Sequence, residues 1–160
     1  MATAIAATGF TEEAFETFLA TRDEPAWLTD MRRAAWQRFQ DLPMPSVRDE
    51  EWMRTDIRLF KLDRFGLPDP STGSRSILPH ALLAEGVELG GRTVSVDSHL
   101  VTSELDAKWA KRGVVFGSLG RLVAEHGDLL RPFFERRVVD PYKDRFSALN
   151  AACWSGGPLL

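Results

Sequence analysis

Thiols, imidazoles and paired carboxylates are the usual raw material of protein chemistry, and this chain of 160 residues offers few of them. One cysteine, Cys153, is the candidate nucleophile or metal ligand, since a thiolate does both jobs. Its spacing from Phe146 and Leu149 puts it on the apolar side of a predicted C-terminal helix, where burial raises a thiol's pKa and leaves it inert. The three histidines, His80, His99 and His126, fall in different predicted elements. None stands at the i, i+4 spacing by which one helix presents two imidazoles to a metal. Surface or capping roles are expected, and His126, just before Gly127, suits the negative end of a helix. The run RDEEW at 48–52 holds Glu50 and Glu51, and paired carboxylates do acid/base work when their surroundings split their pKa values. Arg48, Arg54 and Arg58 lie close by, so a solvated ion-pair network is the expectation there.

Two further stretches invite a functional reading and do not sustain it. FFERRVV at 133–139 sets aromatics beside arginines, as in a platform for single-stranded nucleic acid, yet Glu135, Asp140 and Asp144 dilute its charge. GSLGRL at 117–122 has the glycines of a phosphate loop but lacks the Gly-Lys-Ser/Thr ending. No Gly-x-Ser-x-Gly, His-Glu-x-x-His or Cys-x-x-Cys pattern occurs. The residues thus propose no catalytic, cofactor-binding or metal site, and the expectation is a protein that is not an enzyme.

Composition narrows the class without naming a partner. An apolar share of 44% with 27% charged residues is that of a soluble globular domain, and a formal charge of -3 gathers neither nucleic acid nor anionic lipid. A single cysteine excludes an internal disulfide and fits a reducing compartment, so a cytoplasmic location is expected. The opening MATAIAATGF has neither the basic flank nor the sustained apolar core of a secretory signal. No stretch approaches the ~18 continuous apolar residues of a membrane span.

The elements that must position these residues are legible in outline. A helix is predicted over 10–21, with Thr11 as N-cap, Glu12 and Glu13 in the first turn, and Phe15, Phe18 and Leu19 on one face. Phe10 could staple onto Phe15. A longer helix follows, with Pro25 at its first position, Leu28, Met31, Ala35, Phe39 and Leu42 in one stripe, and Pro43 and Pro45 as its stop. The segment IRLFKLDRF at 57–65 has mixed periodicity. GLPDPSTGSR at 66–75 reads as a loop or linker. Beyond it a short helix at 79–85 with Gly86 behind it, strands at 87–89, 92–97 and 100–105, a helical turn at 106–112 ended by Gly113, and a strand at 114–116 are predicted. Ser118 then caps a helix ended by Gly127, and a last helix runs from about Asp144 to Trp154. The fold class is α+β and helix-rich, divided as a helical region (1–65), a linker (66–75), a mixed region (76–154) and a final segment (155–160).

Four stretches, in order, resemble the SufB/SufD family of iron–sulfur cluster assembly proteins: EPAWLTDMRRAAWQRFQDLPMP with RDEEWMRTD, then GVVFGSLGRLVAEH, then FSALNAACWSGG. The SufD branch is the closer match, because SufB members usually carry an N-terminal cysteine cluster that is absent here. The resemblance runs from about Glu24 to Leu160 and leaves 64–85 unmatched. It implies the N-terminal portion of a scaffold component that works with a SufB-like paralogue and a SufC-like ATPase, the iron–sulfur cluster belonging to the full complex and no cofactor to this region. In the family, the stretch matching Leu149 to Gly157 leads into a right-handed parallel β-helix, so Pro158, Leu159 and Leu160 are expected as its first strand, with the rest missing from a truncated chain. Alone, such a strand would be disordered or associate, and neither nucleic acid nor membrane is expected as a partner. The alternative is a stand-alone interaction module. Reading the coding frame past the codon for Leu160 separates the two: glycine-punctuated strands and a helical segment are expected, and an immediate stop codon would favour the module.

Overall fold

The computed structural model describes residues 9–67, 86–96, 99–136 and 138–160. In chain order the elements are α1 (Glu12–Ala20), α2 (Ala26–Asp41), β1 (Gly91–Val96), β2 (His99–Leu105), α3 (Ala107–Ala110), β3 (Gly117–Ser118), α4 (Leu119–Glu135), α5 (Arg145–Cys153) and β4 (Pro158–Leu159). Short 3₁₀ turns occupy Glu50–Trp52, Ile57–Leu59 and Leu62–Arg64, which is where the mixed periodicity of 57–65 comes from. The chain groups into two units: Met1–Asp69 with Arg131–Trp154, and Pro70–Leu130 with Ser155–Leu160. Helix-rich α+β is the class observed, and no β-helix coil is present among the described residues.

The first unit is helical because its apolar residues recur at helical spacing and its caps are in place. Thr11 accepts a hydrogen bond from the Ala14 amide at 3.2 Å, and Glu12 and Glu13 follow in the positive first turn of α1. Phe15, Phe18 and Leu19 are buried, as their spacing predicts. In α2, Leu28, Ala35, Trp36 and Phe39 turn inward, and burying each of the larger ones contributes roughly 1.5–3 kcal/mol. Pro25 is the residue before this helix and not its first member: its ψ of 147° is extended. Phe10 finds its ring partner in Phe39 of α2, at 6.3 Å between centroids. The core closes with Ala148 and Ala152 of α5, whose small side chains let that helix lie close against α2.

The second unit is built on an antiparallel hairpin. β1 pairs with β2 from Gly91 opposite Leu105 to Val96 opposite His99, with an irregularity between Val94 and Ser95. Gly91 is required by crowding, since a Cβ there would stand 2.9 Å from the Phe116 ring. Asp106 then caps the single turn of α3 through the Lys108 amide at 2.8 Å; the helix stops at Ala110, earlier than predicted, and Gly113, at φ +84°, closes the turn that follows it. The 87–89 segment is not a strand: Val87 and Leu89 are exposed, and no described strand lies beside them. Nor is 114–116, because ladder pairing starts one residue later, at Gly117. β3 pairs antiparallel with β4, so Pro158 and Leu159 have a partner within the chain, contrary to the expected unpaired tail. The predicted helix at 79–85, the stretch 68–75 and the turn at Asp97–Ser98 lie outside the described residues.

Leu119–Glu135 is two helical segments joined across a kink at His126 (φ -130°, ψ 32°), so the helix predicted to close just before Gly127 does break there, and a second segment carries on beyond it. Leu122 and Val123 are buried before the kink and Leu130 after it.

Helix α5 begins at Asp144, whose Oδ1 accepts from the amides of Phe146 and Ser147 at 2.8 and 2.9 Å and whose Oδ2 accepts from the Ser147 hydroxyl at 2.7 Å. Burial pushes this carboxyl up, but the Ser147 and Phe146 hydrogen bonds outweigh it and hold Asp144 below its ordinary value. A depressed folded pKa contributes stability above the usual carboxyl range that is lost as pH falls through the folded value. Asp144→Ala is expected to cost about 1 kcal/mol by urea denaturation at neutral pH, and the difference from the parent protein should shrink towards pH 2. A difference that stays constant across that range would show that the cap's charge is unimportant.

Candidate interaction face around Arg32 and Cys153

Arg32 lies within the apolar stripe of α2, four residues after Leu28 and three before Ala35, and its side chain is wholly buried. A buried guanidinium is costly unless every side of it is answered. Here Nε and Nη2 donate to the two carboxylate oxygens of Glu24 at 2.7 and 2.8 Å, a bidentate pair. Nη1 donates to the carbonyl oxygen of Ala152 at 2.8 Å, in the last turn of α5. The flat face lies over the Trp154 ring, 4.0 Å from its centroid, which adds a cation–π attraction. Arg22 approaches the same Glu24 carboxylate at 3.7 Å and lies 4.2 Å over Phe18. Burial, then the neighbouring Arg32 cation, holds Arg22 below the usual arginine range.

Around this pair the aromatic residues join α5 to the rest of its unit. Trp154 stacks on Phe134 at 5.8 Å, and Phe134 meets Trp27 at 5.6 Å. At the other end of α5, Trp52 and Phe60 lie 5.4 and 5.7 Å from Phe146, so the 3₁₀ turns that carry them are packed on the same helix. Arg145 donates through Nη1 to the Leu42 carbonyl oxygen at 2.6 Å and sits 4.4 Å over Phe39. All of these contacts but Phe134–Trp27 tie a residue from 145–154 to another part of the chain.

Among the described residues, Phe146, Leu149, Asn150 and Cys153, with Trp154, Phe10 and Leu67, line a shallow, mostly apolar cleft of about 310 Å³. Of the predicted stripe, Leu149 and Cys153 are partly buried and pack against the core as expected, while also bordering the cleft; Ala148 and Ala152 are the wholly buried residues of α5. Cys153 is half-buried, and burial pushes its thiol up to about 12 against the opposing pull of Arg32 and Arg22. At neutral pH it is a thiol, a poor nucleophile and a poor metal ligand.

The other candidates are dispersed. Glu51 pairs with Lys143 at 2.7 Å on the exposed surface, as a solvated ion pair, and Glu50 is exposed beside it. The amide of Leu119, inside GSLGRL, donates to the Gly157 carbonyl at 2.8 Å, so a backbone donor that a phosphate would need is already used. In FFERRVV, Glu135 pairs with Arg131 at 2.7 Å, and Phe134 faces Trp27 and Trp154 instead of solvent. His80 lies outside the described residues. Among the described residues no three His, Cys, Asp or Glu side chains gather as a metal site, and no helix is long and apolar enough to cross a membrane. Sequence reasoning missed Arg32 and Glu24. The available signal was an arginine at a buried position of an apolar stripe, eight residues after a glutamate at the helix entrance.

Fold and site together define a helix-rich α+β protein whose conspicuous features are a buried ion pair at the start of α2, an arginine that bonds from it to the end of α5, and an apolar cleft beside them. Comparison with known proteins shows what the chain is similar to. The iron–sulfur cluster assembly protein SufB of Bacillus subtilis is 25% identical to the chain over 95% of its length, and SufD of the same organism is 25% identical over 93%. A SufBD family protein of Staphylococcus epidermidis is 24% identical over 95%. These matches show the resemblance to the SufB/SufD family across nearly the whole chain, at an identity that is the same for the SufB and SufD of Bacillus subtilis. The chain spans about a third of the length of the curated relatives it matches, 34% in each of these three. No family model matches it. No solved structure matches it either.

Two outcomes test this description. Arg32→Ala strands the Glu24 carboxylate in the interior and should destabilise the protein by about 3–5 kcal/mol. Arg32→Met combined with Glu24→Gln should recover much of that loss in urea denaturation, and an Arg32→Ala variant as stable as the parent would refute the clamp. For Cys153, a folded pKa raised from 9.0 to about 12 means that the unfolded chain gives up its proton first, so the residue's contribution to stability falls between about pH 9 and pH 12. Cys153→Ala should flatten that part of the pH profile. A chromogenic disulfide reagent should label native Cys153 far more slowly than the denatured chain at pH 8, and equal rates would show an accessible thiolate.

Proposed function

We propose that this chain contributes to iron–sulfur cluster assembly as a non-catalytic part of a SufB/SufD-type scaffold, nearer in role to SufD. The observation that carries this reading is the similarity over 93–95% of the chain to proteins named as iron–sulfur cluster assembly SufB and SufD. The stretches that carry the resemblance also meet physically: Glu24 and Arg32 belong to the first, Ala152 and Trp154 to the last, and Arg32 bonds across them. On this reading the partners are a SufB-like paralogue and a SufC-like ATPase in the cytoplasm. The cluster is the cargo of the assembly and not a resident cofactor of these residues. The thiol state of Cys153 supports a supporting role over a chemical one.

The test is co-expression of the protein, in the longest reading frame its gene provides, with the SufB-like and SufC-like proteins of the same source, followed by affinity purification and transfer of cluster to an apo-ferredoxin. Co-purification of all three, with transfer lowered several-fold when residues 1–154 are deleted, is the expected result. Failure of the intact protein to co-purify would favour the stand-alone interaction module, a reading to which the open cleft on α5 lends its own support.

A further inference from the structure

We draw no further inference here: the strongest candidate, the open apolar cleft along α5 lined by Phe10, Leu67, Phe146, Leu149, Cys153 and Trp154, carries nothing because nothing in the structure shows what covers it.

Discussion

The helical unit depends on how one buried cation is satisfied. Arg32 has no access to water, so its charge must be met by protein groups, and they come from three places: the Glu24 carboxylate before α2, the Ala152 carbonyl at the end of α5, and the Trp154 ring just beyond it. Hydrophobic burial alone would hold α2 and α5 together in many rotational and sliding registers, because apolar contact is non-directional. A bidentate pair and a single carbonyl acceptor admit essentially one. Desolvation of both partners offsets much of the attraction within such a pair, whereas losing one partner alone leaves an uncompensated charge in the interior.

Helix α5 is placed by this joint and in turn places much else. Ala148 and Ala152 are the residues that let it approach α2, and a larger side chain at either would push the Ala152 carbonyl away from the guanidinium. Phe146 receives Trp52 and Phe60, so turns with no regular periodicity of their own gain a fixed seat. Two of the aromatic contacts made by 50–65 are therefore with a helix roughly ninety residues away in sequence, and a third, Phe60 on Phe65, is internal. The cleft is a consequence of the same placement: α5 buries its alanines completely, while Phe146, Leu149 and Cys153 are only partly covered and border the cleft.

The family resemblance gains a physical meaning from this joint. A Glu and an Arg eight residues apart, and a small residue followed two positions later by Trp, are unremarkable patterns when read separately. Together they are the two halves of one buried site, so the stretches that resemble SufB/SufD proteins at the two ends of the helical unit are also the ones that must be present together for it to pack.

Local signals in the sequence determined the caps at Thr11, Asp106 and Asp144, the proline stop of α2 and the hairpin partners, because each depends on neighbours a few residues away or on simple amphipathic spacing. They failed where a distant contact outweighed a local preference. The 87–89 segment is no strand, since it has no described partner, and Pro158–Leu159 is paired, since β3 offers an edge. The division of the chain at 66–75 follows composition, whereas the grouping of 131–154 with the first 69 residues follows contacts that composition does not record. Tertiary structure alone decided that Arg32 is interior. Charge says surface, stripe position says core, and only the arrival of Glu24, Ala152 and Trp154 around one guanidinium makes the second outcome affordable.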